Sequence, residues 1–213
     1  MNIFELKNIG YKANEKEILK DINISIKEGD RVTLVGPSGS GKSSILKLLS
    51  GLQSPTSGDL LYGSKNIETL EMSDYRKEVS YFFQQAVLFG DSVRDNLEFP
   101  FIIRDLAFDE TKAKEALKKV NLPVDYLDHK VKDLSGGEKQ RVALIRNMMF
   151  EPKVLLLDEI TAGLDADTKH LVHDLIDAYH KSGKTIVEVT HDQEEIDKAR
   201  TVINIEGGQV KYE

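Results

Sequence analysis

Residues 31–49 read RVTLVGPSGSGKSSILKLL, an apolar β-branched run, a loop carrying Gly36, Gly39 and Gly41, and then a helix-forming stretch. No other segment constrains the fold as tightly. RVTLV predicts a buried strand, and KSSILKLLSGL predicts a helix that stops near Gly51. A strand that passes through glycines into a helix gathers free backbone N–H groups, which favour an anion. The candidate phosphate-binding residues are Gly36, Pro37, Ser38, Gly39, Ser40, Gly41, Lys42, Ser43 and Ser44. The glycines allow a close backbone approach that a side chain would block. In this pattern the lysine, Lys42, reaches the β- and γ-phosphates, and the hydroxyl of Ser43 ligates Mg²⁺.

The flanking sequence predicts an α/β fold. DINISIK alternates Ile22, Ile24 and Ile26 with polar residues, the period of a half-buried strand. DLLYG and VSYFF read as further strands, with the turn cluster SPTSGD before them. DETKAKEALKKV puts Ala113, Ala116, Leu117 and Val120 on one helical face. From 136 the pattern runs helix, strand VLLLDE, helix, strand TIVEVTH, which predicts a parallel sheet with crossover helices. TVINIEGGQVKYE predicts a closing hairpin that turns at Gly207 and Gly208. The expected architecture is one domain over 1–213. It combines a P-loop NTPase core on a parallel sheet, an N-terminal antiparallel β lobe and an inserted α-helical lobe at approximately 90–150.

Composition narrows the class. With 40% hydrophobic and 31% charged residues, the 213-residue chain reads as soluble and globular. Its apolar runs are too short to span a bilayer, and MNIFELKNIG lacks the features of a signal peptide. The absence of cysteine excludes disulfides and thiolate metal sites. A formal net charge of −7 argues against a general nucleic-acid binder.

Two more stretches carry chemistry. VLLLDE is an apolar run ending in two carboxylates, as expected of a buried parallel strand whose end meets the phosphate loop. Asp158 would then join the Mg²⁺ shell, and Glu159 would sit near the γ-phosphate, able to orient and deprotonate a water. LSGGEKQR, 134–141, is a second serine-glycine-glycine helix start. On its own it reads as a serine-capped helix with Glu138 in the first turn. One nucleotide does not obviously need two such cradles.

Taken in order, Tyr11, GPSGSGKSS, YFFQQAVLF, LSGGEKQR, VLLLDE, AGLD and VTHD resemble the ATPase subunit of an ABC transporter across essentially the whole chain. The resemblance implies a head-to-tail dimer of two copies, in which Ser135, Gly136 and Gly137 of one copy contact the γ-phosphate of ATP held by the other. It further implies that Tyr11 stacks on adenine and that Gln84, rather than its neighbour Gln85, senses Mg²⁺ and the attacking water. His191 would contact the γ-phosphate and hold Glu159, and Asp165 would lie in a loop crossing to the partner. Two departures stand out: Ile160 replaces the usual proline, and Ala162-Gly163-Leu164-Asp165 replaces the usual Ser-Ala-Leu-Asp.

LFGDSVRDNLEFPFIIR and LIRNMMFEPKVLLLDEITAGLD resemble the FetA-like group, ATPase subunits linked to iron export. That implies ATP and Mg²⁺ as cofactors, an integral membrane permease as partner, and a peripheral position on the cytoplasmic face of the membrane. Of Phe89, Leu97, Phe99, Phe101, Ile102 and Ile103, most are expected in the helical lobe's core, with Phe89 or Phe99 lining a docking groove. His173, Asp177 and His180 share one face of an expected helix over 168–182, with His170 close by. Their spacing suits a metal, but the opposite face is apolar, so the histidines are expected to face solvent. Other small-substrate transporters remain an alternative. ABC ATPases acting on nucleic acid would need a long coiled coil between the motifs, and those acting on ribosomes carry two ATPase domains. The interval between the motifs is too short for such a coiled coil and the sequence shows one set of motifs, so these non-transport classes stand as the further alternative.

Overall fold

The structure is a computed structural model that describes residues 1–199 and 201–211, the side chains of 194 and 198 excepted. In chain order the N-terminal part runs β1 (Asn2–Ala13), β2 (Lys16–Lys27), β3 (Arg31–Val35), α1 (Lys42–Leu49), β4 (Ser57–Tyr62), β5 (Lys65–Asn66), α2 (Met72–Glu78) and β6 (Val79–Phe82). Then follow α3 (Val93–Ile102), α4 (Glu110–Lys119), α5 (Gly136–Met148), β7 (Val154–Asp158), α6 (Ala166–Lys181), β8 (Thr185–Val189), α7 (Gln193–Lys198), β9 (Thr201–Glu206) and β10 (Gln209–Lys211). Tyr212 and Glu213, the last residues of the expected hairpin, lie outside the described residues.

The chain forms two compact units, one built from 1–81, 153–159 and 179–213, the other from 82–152 and 160–178. The first contains an antiparallel sheet ordered β2-β1-β4-β5 and a second sheet ordered β10-β9-β3-β8-β7-β6. In the second sheet β9, β3, β8 and β7 run parallel, and β10 pairs antiparallel with β9. Every residue of β7 and β8 is buried, as expected of strands covered on both faces. β2 alternates instead, with Ile22, Ile24 and Ile26 turned into the core. Phe4, Ile9, Leu34, Leu46 and Leu49 join them in one apolar cluster that takes in residues of both sheets and α1.

One charge interrupts the apolar run of β8. Glu188 of β8 is buried, takes two hydrogen bonds from Arg31 at 2.8 and 3.1 Å, and accepts another from the Thr33 hydroxyl at 3.0 Å. Removing one partner of such a buried pair typically costs about 3–5 kcal/mol, because the other charge is left desolvated.

The second unit is helical. Ala113, Ala116 and Leu117 of α4 pack with Val93, Leu97 and Phe101 of α3 and Val142 and Ile145 of α5. Asp109 caps α4, and Ser92 and Asp95 form a capping box on α3. Four of the six apolar residues read as mostly core are not core. Only Leu97 and Phe101 are buried; Phe89, Phe99, Ile102 and Ile103 stay at 40–59% exposure. The reason is local. α3 is short, so its buried stripe is filled by Val93, Leu97 and Phe101 at helical spacing. Phe99 and Ile102 point elsewhere. His180 also departs from expectation: its Nε2 lies 2.9 Å from the Gly29 carbonyl oxygen, and the side chain is half-buried.

Candidate active site

β3 delivers the chain to the loop at Val35, and α1 begins at Lys42. Gly36 has φ 135° and Gly41 φ 104°, both in the left-handed range that disfavours a side chain. Space makes the same demand: a Cβ at Gly36 would stand 2.0 Å from the Ile205 carbonyl oxygen. Pro37, Ser38 and Gly39 are exposed, whereas Ser40, Gly41 and Lys42 are buried and Ser43 and Ser44 half-buried. The Lys42 ammonium donates to the carbonyls of Gly36 at 2.8 Å and Pro37 at 2.9 Å. Burial pushes its pKa down, and the nearby Glu159 and Asp158 carboxylates oppose that. The Ser40 hydroxyl is buried and has no hydrogen-bond partner among the described residues. An orphaned buried hydroxyl beside a helix start capped by a glycine backbone, without a side-chain bond, fits an anionic group held there.

Asp158 ends β7 and is 7% exposed. Its Oδ1 accepts the Ser43 hydroxyl proton at 2.8 Å, and its Oδ2 accepts the Tyr81 hydroxyl at 2.6 Å. Burial and this carboxylate push the Tyr81 pKa far up, so the phenol stays a donor. Ser43 and Asp158 together offer hard oxygen ligands, the donor set Mg²⁺ takes. Glu159 follows in a left-handed backbone conformation, φ 51°, its N–H donating to the Val189 carbonyl at 3.0 Å. A non-glycine residue there bears about 1–2 kcal/mol of strain, a feature that clusters at functional sites. Its Oε1 lies 3.0 Å from His191 Nε2. Tyr11 of β1 is half-buried opposite Leu19 of β2, against the core. The first unit thus joins Ser43 to Asp158 and Glu159 to His191.

The second unit holds the other residues singled out. Ser135 caps α5 with a capping box: its Oγ accepts the Glu138 N–H at 3.3 Å, and Glu138 Oε2 accepts the Ser135 N–H at 2.8 Å. The other Glu138 oxygen accepts the Tyr126 hydroxyl at 2.7 Å. That bond and the Ser135 amide hold the carboxyl below its ordinary value. Among the described residues, and apart from its chain neighbours and its own helix backbone, nothing lies within 4 Å of where a Cβ on Gly136 would be. Within α5, Gln140 donates to the Ile160 carbonyl at 2.9 Å. Asp165 accepts both the Thr168 N–H and its hydroxyl, capping α6. Gln84 is exposed, two residues past β6. Phe89 and Phe99 stack edge-on at 5.0 Å, and the Arg146 guanidinium lies 5.2 Å from the Phe89 ring centre while bonding Val87 and Asn96. Among the described residues no group of three acidic, histidine or cysteine side chains is placed to hold a metal ion. No described helix is long and apolar enough to cross a membrane.

Tyr81 and Tyr126 escape sequence reasoning. Each sits in a stretch that reads as structural, and each meets its carboxylate only through the fold. For Tyr81 the hint is a phenol in VSYFF, and it needs the order β7-β6 to become legible.

Comparisons with known proteins bear on this geometry. Residues 19–162 match the family model for ABC transporters. The chain is 45% identical over 205 residues to the probable iron export ATP-binding protein FetA of Escherichia coli (strain K12), covering 96% of this chain and 91% of that one. It is 41% identical to the spermidine/putrescine import ATP-binding protein PotA of Spiroplasma citri, but spans only 56% of that relative's length. A dimeric post-hydrolysis structure of the ATP-binding cassette MJ0796 bound to ADP and Pi superposes with TM-score 0.87 at 32% identity, covering 98% and 97% of the two chains. A bacterial Atm1-family ABC exporter with ATP bound matches at TM-score 0.88 and 28% identity, over 98% of this chain and 38% of that one. A P-loop fold that carries a second glycine cradle, matched this far along its length, has one reading: the chain belongs to the ABC transporter family, as an ATP-hydrolysing subunit near FetA.

Proposed function

We propose that two copies of this chain close head to tail around two MgATP, hydrolyse them, and thereby drive an integral membrane permease that exports a metal ion. The observation that carries the reading is Gly136. It opens α5 directly after the Ser135 cap, and among the described residues neither a left-handed φ nor a neighbouring group demands a glycine there. A requirement imposed from outside the chain, by a nucleotide in a second copy, accounts for it.

In this reading Lys42 and the N–H groups of the phosphate loop orient ATP. Ser43 and Asp158 would hold Mg²⁺, with Gln84 as a further ligand; when bound, the ion offsets charge on the β- and γ-phosphates. Tyr11 stacks on the adenine. Glu159 takes a proton from the water that attacks the γ-phosphorus, and the bond to the β-phosphate oxygen breaks, leaving ADP and phosphate. His191 keeps the Glu159 carboxylate turned to that water. A positioned base is typically worth ~10²–10⁴-fold in rate. Ser135 and Gly137 complete the partner's site, so loss of the γ-phosphate removes what joins the copies. The exposed Phe89–Phe99 pair offers an apolar seat for a short helix of the permease, on the cytoplasmic face of the membrane.

Similarity to FetA supports metal export, and similarity to PotA favours a second reading, import of a small organic cation. Metal content of a strain lacking this chain separates them: raised iron is expected, and unchanged metal with lowered polyamine would overturn the export reading. For the mechanism, Glu159→Gln is expected to keep ATP binding, lose hydrolysis, and run as an ATP-dependent dimer in size-exclusion light scattering. Hydrolysis near the native rate would remove Glu159 from the role of base.

A further inference from the structure

We propose that Tyr81 is a positioning residue for the cation site, acting through Asp158 on Ser43. The inference rests on the MgATP reading above and adds a residue to it. Asp158 is buried at the end of β7, so its backbone is fixed, but the last torsion of an aspartate is broad and weakly determined. Hydrogen bonds decide it. Two hydroxyls share the carboxylate, one per oxygen: Tyr81 on Oδ2 and Ser43 on Oδ1. Bonds from neutral donors to an ionised oxygen are short and strong, and the 2.6 Å contact from Tyr81 is the shorter of the two.

The consequence passes to Ser43. A hydroxyl has one proton and two lone pairs. With its proton committed to Asp158 Oδ1, the lone pairs of Ser43 face away from the carboxylate, as a cation ligand requires. Tyr81 holds Oδ2 and so leaves Oδ1 turned to Ser43. Its ring is anchored by packing against the first unit's core from β6, the strand beside β7. The phenol is thus a fixed donor. Phenylalanine would keep the ring packing and delete only the hydroxyl, which leaves the carboxylate free to turn and to pull the Ser43 proton with it. Supporting groups one step removed from a metal typically change its affinity 10–100-fold.

The test compares Tyr81→Phe with the unaltered chain. Mn²⁺ replaces Mg²⁺ and is titrated by electron paramagnetic resonance in the presence of ADP. Binding of a fluorescent ATP analogue is measured in EDTA. Tyr81→Phe is expected to weaken Mn²⁺ by about tenfold and raise the Mg²⁺ needed for half-maximal hydrolysis by a similar factor. kcat at saturating Mg²⁺ should stay within about twofold, and metal-free nucleotide binding should not change. In a Ser43→Ala background the same substitution should cost clearly less, since one of the two groups it acts through is gone. Unchanged Mn²⁺ affinity overturns the proposal. So does an equal loss of nucleotide binding in EDTA, which marks a structural role, or a full effect that persists without Ser43. Failure of the underlying reading looks different: Asp158→Asn would leave Mn²⁺ binding untouched.

Discussion

The chain builds two glycine-rich helix starts, and they are made in opposite ways. At α1 the backbone wraps: Gly36 and Gly41 take left-handed conformations, no side chain caps the helix, and a lysine is drawn inside to two loop carbonyls. At α5 the start is closed by its own side chains. Ser135 and Glu138 satisfy each other's N–H groups, Tyr126 holds the free carboxylate oxygen, and Gly136 faces open space. The first cradle is shaped to enclose an anion. The second is capped at Ser135 and Glu138 and bare at Gly136, a surface that something can lie against. The difference fits the proposed dimer, in which enclosure would bind a nucleotide and a bare capped end would complete a site made elsewhere.

Substitutions at the glycines break this contrast most sharply. Gly36→Ala forces a Cβ to within 2.0 Å of a backbone oxygen and is expected to cost roughly 3 kcal/mol or more of stability, read as a fall in urea midpoint, with ATP binding lost. Lys42→Ala comes next. Losing a charged donor is expected to weaken ATP about 10–100-fold in a fluorescence titration, with little change in fold. Gly136→Ala should move the other way. With no left-handed φ to strain it, alanine adds about 0.4–1 kcal/mol of stability by making the unfolded chain less flexible, raising the melting temperature, while ATPase activity falls. A Gly136→Ala chain that is both more stable and fully active would erase the distinction between the two cradles.

The smallest effect concerns Glu138. Its carboxyl is held below the ordinary 4.5, first by the Tyr126 hydroxyl and then by the Ser135 amide. A depressed folded value means that the ionised cap stabilises the protein above the unfolded value and stops doing so as pH falls through the folded one. Melting curves of the unaltered chain and Tyr126→Phe should therefore differ near neutral pH and converge below pH 4.5. A gap that persists in acid would mean Tyr126 acts by packing alone.

Much of this was legible in the residues because it is local. The period of β2, the buried runs of β7 and β8, the glycine loop and the serine-capped start of α5 are all patterns within a few residues. A loop and an acidic strand end suggested that Ser43 and Asp158 would share a Mg²⁺ shell, though not that they bond each other, and the family resemblance suggested that His191 holds Glu159. What escaped is non-local. Glu188 reads as an odd polar residue until β3 is laid beside β8 and brings Arg31 to it. Tyr81 reads as a strand aromatic until β6 is laid beside β7. The exposure of Phe99 and Ile102 depended on which face of α3 turned inward, and a short helix crowded with apolar residues leaves that face undetermined.

The account stands on the second cradle serving another copy's nucleotide. The specific ATPase rate, measured against protein concentration at saturating MgATP, tests this directly. The account predicts that the rate per chain falls on dilution, the total rate approaching second-order dependence on the chain, and that Ser135→Arg abolishes it while leaving single-copy ATP binding intact. A rate per chain that holds constant on dilution, and that Ser135→Arg does not touch, would contradict it.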